Sequence, residues 1–154
     1  MNKIDRYEIQ LCKQNCEPIL SVNHFLTAQA PIYETALAEL RAGHKRTHWM
    51  WFIFPQIAGL GMSAMSQRYA LGSLDEARAY LAHEILGPRL LDCTRAVLAH
   101  PEKSANAIFG APDDLKFRSS MTLFAHAAPD QPEFRQALDT FFDGKDDPET
   151  LKRI

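Results

Sequence analysis

Apolar residues recur at threes and fours along most of this chain, the spacing of one face of an α-helix, and strict apolar–polar alternation is scarce. The clearest stripe is Ile32, Tyr33, Ala36, Leu37 and Leu40, closed by Gly43 where a left-handed terminator belongs. Upstream, Asn23 is placed to cap a short helix over 25–30, which Pro31 interrupts. Ser63 precedes a helix over 64–71 ended by Gly72, and Ser73 with Glu76 has the spacing of a capping box for a helix reaching His83. Gly87 and Pro88 open a stripe through Leu90, Leu91, Thr94, Val97 and Leu98, stopped by His100 and Pro101. Ser104 caps a turn to Phe109, and Pro112 with Asp113 and Asp114 starts a helix reaching Ala128. Pro132 begins another that carries Phe134, Leu138, Phe141 and Phe142 and ends at Gly144, and Asp147 caps a last turn.

This punctuation predicts an all-α fold, one compact domain over 23–154 built of about seven short helices joined by loops marked with proline and glycine. Residues 1–22 read as a polar N-terminal extension without assigned structure. No fixed period recurs, which excludes a solenoid. A chain of 154 residues with 46% hydrophobic and 23% charged positions has the size and balance of a single globular domain. Lys and Arg number 17 against 19 Asp and Glu, a net charge of -2, so no general field draws phosphate backbones or anionic lipid. Nucleic acid and membrane are therefore not expected partners. The opening residues lack an apolar run, which points to the cytoplasm. Cys12, Cys16 and Cys93 form no disulfide framework or zinc pattern, and reduced thiols are expected.

Chemistry concentrates in two places. The stretch 48–56 holds both tryptophans of the chain and two of its nine phenylalanines between His48 and Gln56. Trp49 and Trp51 stand two apart, so they share neither a helical face nor opposite strand faces; one is expected to pack inward and the other to cover a cleft. His48 has the proton affinity for acid–base work near neutrality, set against a purely structural role hydrogen-bonding the loop. The second place is 113–122, which mixes both charge signs with three hydroxyls. On a helix, Asp114 with Arg118 and Lys116 with Ser120 share faces. These residues suit either a cap with an ion pair or, through Lys116, Arg118 and Ser119, recognition of a phosphate or carboxylate.

Other motifs are missing their partners. Gly59-Leu60-Gly61 lacks the third glycine of a dinucleotide fingerprint, and no phosphate loop or serine-nucleophile elbow is present. His44 and His48 have metal-pair spacing only if helical, and no acidic third ligand lies nearby, so no metal and no cofactor are assigned. Lys45 and Arg46 read as a solvated basic run.

In Phe25, Ala28-Gln29, Tyr33, residues 36–40, Gly43, Lys45 and the whole of 48–56, the chain resembles the bacterial domain-of-unknown-function family eighteen-ten. The likeness continues through Gly59-Leu60-Gly61, 69–71, 79–81, 86–90, 108–110, 113–116 and 118–124. It implies a mainly α-helical fold and no established activity, substrate or cofactor.

Together these features lead to a protein that binds a small anionic aromatic ligand such as a nucleotide or an ADP-ribose-like compound, with hydrolysis as an open extension. In that reading His48 and Asp114 do acid–base work, Trp51 stacks, Gln56 and Ser119 orient, and Lys116 and Arg118 hold the anion. The alternative is a non-catalytic interaction module, or a homodimer, anchored by the tryptophans. The ligand reading requires the aromatic stretch and the 113–122 helix to border a common hollow.

Overall fold

The computed structural model describes residues 21–154. Within them lie ten helical segments: α1 (Asn23–Gln29), α2 (Tyr33–Arg41), α3 (Met50–Ile53), α4 (Ala64–Arg68), α5 (Leu74–Ala82), α6 (Leu86–Leu98), α7 (Ala105–Phe109), α8 (Asp113–Ala127), α9 (Pro132–Phe142) and α10 (Pro148–Leu151). The all-α expectation holds. The excess over seven comes from α3 inside the aromatic stretch and from α7 and α10, which were expected as turns. Among the described residues the extended backbone amounts to one isolated parallel bridge, Ile57 to Leu71. The expected extension at 1–22 lies outside the described residues except for Ser21 and Val22, and so do Cys12 and Cys16.

Helix α8 is the hub, packing against α5, α7, α9 and α10, while α6 joins α2, α5 and α9. Its side chains are buried on nearly every side, from Phe117 through Ala127, as a central helix requires. Aromatic rings tie it to its neighbours. Phe117 meets Phe54 edge-on at 5.0 Å and Phe109 face-on at 4.7 Å, and Phe124 lies 5.5 Å from Phe134 and 5.7 Å from Tyr80. The aromatic stretch and α8 therefore share one core.

Local signals mostly act as the spacing predicts. The side chains of Ser63, Ser73, Ser104 and Asp147 accept from the amides of Ser66, Glu76, Ala107 and Thr150 and cap their helices. Gly43 takes the left-handed conformation, φ +75, at the end of α2. Three details differ. Asn23 lies inside α1, with Val22 at the N-cap. The Glu76 carboxylate closes on the amide of Gly72 instead of that of Ser73. Helix α4 stops at Arg68 because Leu71 pairs with the stretch after Pro55: its amide donates to Gln56 O at 2.9 Å and its carbonyl accepts from Ala58 N at 2.7 Å.

The start of α6 is set by a residue outside the predicted signal. His83 Nδ1 accepts from the amides of Ile85 and Leu86 at 3.1 and 3.2 Å, which satisfies the free donors of the first turn. Gly87 sits within that turn instead of before it, because the backbone of Leu81 passes directly against it. A Cβ there would stand 2.0 Å from the Leu81 carbonyl oxygen. Gly87→Ala should therefore lower stability by about 2–3 kcal/mol, seen as a lower urea midpoint at unchanged slope, since backbone cannot yield as a side chain can. An unchanged midpoint would show that α5 and α6 are free to separate there. In α8, the Oγ of Ser120 is buried without a hydrogen-bond partner among the described residues. Ser120→Ala should keep or raise the same midpoint, by up to about 1 kcal/mol, because it removes an unsatisfied group. A lower midpoint would reveal a partner for that hydroxyl.

Candidate functional site

The loop between α2 and α3 is organised by one carboxylate. Glu39, 9% exposed, takes the amides of Arg46 and Thr47 on Oε1 at 2.8 and 3.0 Å, the Thr47 hydroxyl on Oε2 at 2.7 Å, and the indole Nε1 of Trp49 on Oε1 at 2.9 Å. Burial pushes its carboxyl up, but these four donors more than offset that and bring it to about 2. Trp49 is thereby fixed wholly inside. Helix α3 then turns Trp51, two residues on, to a half-buried position at the surface. The division expected from their spacing is what the chain adopts, as far as Trp49 packs inward.

Lys45 extends the network, and it departs from the solvated basic run read in the sequence. Its side chain is 6% exposed, with Nζ 3.0 Å from Asp113 Oδ2, 2.6 Å from Thr47 O and 5.0 Å from the centre of the Trp49 ring. Arg46 beside it is exposed. Asp113 also pairs with Lys116 at 3.3 Å, and Lys116 Nζ stands 5.4 Å over the ring of Trp51. A chain of alternating charges, Lys45–Asp113–Lys116, thus runs from the nearly buried Lys45 side chain to a surface indole. The aromatic stretch and the N-terminal end of α8 therefore touch through these ion pairs, which do not by themselves define a common hollow.

The other predicted residues divide between two faces of α8. Lys116 faces Trp51. Arg118 faces away from it: Nε donates to Lys145 O at 3.0 Å and Nη2 to Asp146 O at 2.7 Å. Ser119 Oγ donates to Leu115 O at 3.1 Å and to Asp147 Oδ2 at 2.8 Å. Both residues hold the α9–α10 loop, where Thr122 and the pair His126–Asp146 also bind. The expected Asp114–Arg118 ion pair does not form, because backbone carbonyls take the guanidinium. Asp114 instead accepts from the Leu115 amide at 2.9 Å and the Asn106 side chain at 3.3 Å. His48 is exposed on the loop beside Trp49, and Gln56 is half-buried, its carbonyl engaged by Leu71.

A surface hollow of about 340 Å³ lies between the start of α5 and residues 153–154, lined in part by Gly72, Asp75, Arg78 and Arg153, and it includes none of the predicted residues. Among the described residues no group of histidine, cysteine and acidic side chains is arranged to hold a metal ion. Cys93 is buried and its thiol is pushed up to about 12, chiefly by burial and then by Asp92, so it stays an uncharged core residue.

Sequence reasoning passed over Glu39 because it lies on a helix seven to ten residues before its partners. The one available signal was an acid within the apolar stripe of α2, between Leu37 and Leu40.

Fold and site together define a small all-α protein in which a buried acidic clamp supports an aromatic and cationic rim. The chain belongs to a family described as proteins of unknown function, DUF1810, whose model matches residues 20–154. It is similar to the conserved hypothetical protein Rv1873 from Mycobacterium tuberculosis, whose crystal structure superposes with a TM-score of 0.84 at 50% sequence identity, covering 85% of this chain and 94% of that one. No curated protein matches the chain. No helix among the described residues is long and apolar enough to cross a membrane.

The clamp makes stability depend on acid. Because folding lowers the Glu39 carboxyl from 4.5 to about 2, its contribution is complete above about pH 4.5 and is lost as pH falls toward 2. Glu39→Gln should cost about 2 kcal/mol at pH 6, the scale of a charged hydrogen bond left imperfect, and clearly less at pH 3, as read from urea midpoints. An equal cost at both values would mean that the charge of Glu39 contributes nothing.

Proposed function

We propose that this protein binds a small anionic aromatic ligand, such as a nucleotide or an ADP-ribose-like compound, on the rim formed by Trp51 and Lys116, with His48 reaching the ligand from the loop before α3, and that it works in the cytoplasm. The observation that carries this reading is the ammonium of Lys116 held 5.4 Å over the half-buried ring of Trp51. An indole offers a π-face for a planar ring, and a cation poised over it meets the anion of the same ligand. Asp113 pins Lys116 in place from behind, and Lys45 balances Asp113, so the rim is preorganised instead of gathered on binding.

Gln56 orients the ligand in this reading. Hydrolysis, where it occurs, falls to His48 and Asp114 as acid and base. Arg118 and Ser119 serve by holding the α9–α10 loop, since their donors are already engaged there. The interaction-module alternative is left with Trp51 as its only tryptophan, because Trp49 is wholly buried. The exposed Leu115 next to Lys116 is what favours it, as an apolar neighbour in such an anchor.

Thermal unfolding in the presence of ADP, NAD and ADP-ribose tests the proposal. A ligand at about 100 times its dissociation constant should add about 2.7 kcal/mol of stability. Trp51→Ala and Lys116→Gln should each remove that gain while moving the melting temperature of the free protein by only a few degrees. No gain with any of the three compounds, or a gain that survives both substitutions, overturns it. Concentration-dependent sedimentation that Trp51→Ala abolishes would favour the module.

A further inference from the structure

We propose that Arg89, with Gln29 and Tyr33, forms a second site, separate from the Trp51 rim, that binds the carboxylate or phosphate group of a small ligand. Four elements converge on it. Gln29 ends α1, Tyr33 begins α2, Tyr80 lies in α5 and Arg89 in α6. The guanidinium of Arg89 lies 4.6 Å from the centre of the Tyr33 ring, which fixes its position. Gln29 is 1% exposed and is itself held in place: Nε2 donates to Phe52 O at 2.7 Å and to the Tyr80 hydroxyl at 3.0 Å. That leaves its Oε1 to accept from Arg89 Nη1, a long bond of 3.3 Å.

A guanidinium carries five N–H donors in a rigid fork. Arg89 is half-buried, yet this single long bond is its one hydrogen bond among the described residues, and no carboxylate there pairs with it. The Tyr33 ring and the Gln29 amide hold the fork in one place, so its remaining donors are already oriented. Asp92, three residues along α6, pairs with Arg95 at 3.8 Å. Stacking alone contributes about 0.5–2 kcal/mol and does not use the N–H edges. What fits those edges is a planar or tetrahedral oxyanion that accepts two of them side by side.

The test is made on the full chain in a chloride buffer. The Nε–H resonances of the arginines are followed while inorganic phosphate, and separately acetate, is added, with Arg89→Gln used to assign the Arg89 signal. The Arg89 resonance should shift and saturate with a midpoint on the order of 1 mM for one of the two probes, which names the group bound. The phosphate or acetate gain in melting temperature should vanish in Arg89→Gln and persist in Arg95→Gln. The Arg89 shift should also persist in Lys116→Gln, so that failure of the Trp51 reading leaves this one standing. An Arg89 signal that stays still with both probes, or that moves equally with added sodium chloride, overturns the proposal. Should Arg89→Gln fold poorly, Arg89→Lys, which keeps the charge and stem, assigns the same signal, and the titration of the unmodified protein decides the matter.

Discussion

A single buried carboxylate governs the part of this protein where chemistry is concentrated. Removing Glu39 from water opposes folding, and only a full set of donors reverses that balance. The loop provides them from three residues, Arg46, Thr47 and Trp49, through two amides, a hydroxyl and an indole. The constraint acts both ways: the carboxylate needs that loop conformation, and the loop conformation exists because its donors have one acceptor to close upon. Once Trp49 is drawn inside, the direction of α3 follows, and with it the outward position of Trp51 and the packing of Phe54 against Phe117.

Helix α8 explains why the predicted site residues separate. Successive residues on an α-helix turn by about 100°, so positions 116 and 118 point about 200° apart. Lys116 meets Trp51 on one side, while Arg118, Ser119, Thr122 and His126 grip the α9–α10 loop on the other. A run of charges and hydroxyls that looks like one recognition surface in sequence is two surfaces in space. The grip is extensive: Asp146 takes His126 and Arg135, and Asp147 takes Ser119 and Thr150, which outweighs the burial that would raise these acids and leaves both below the ordinary range.

Legibility follows sequence distance. Caps at Ser63, Ser73, Ser104 and Asp147 were readable because donor and acceptor lie three residues apart. The fates of Trp49 and Trp51 were readable as a difference, since a spacing of two forbids a common face, although which one packs inward was settled by Glu39. Lys45 was misread because a short basic run carries no sign of the acid, 68 positions later in the chain, that neutralises it. The cluster around Gln29 left no trace in the pattern, since its contacts to Tyr80 and Arg89 span 51 and 60 residues. Only the topology that brings α1, α5 and α6 together creates it.

Comparing the polar clusters shows where folding alone accounts for the residues present. Around Glu39 every carboxylate oxygen is engaged, and the α9–α10 loop is closed by reciprocal bonds; such complete networks stabilise and specify a conformation without help from outside. The cluster at Arg89 differs in kind. Its buried amide is fully committed, but the charge it supports keeps nearly all its donors unused among the described residues. A charge preoriented by an aromatic ring and backed by a fixed amide has the attributes of a recognition element, and the acceptor that would complete it must come from beyond the helices that surround it.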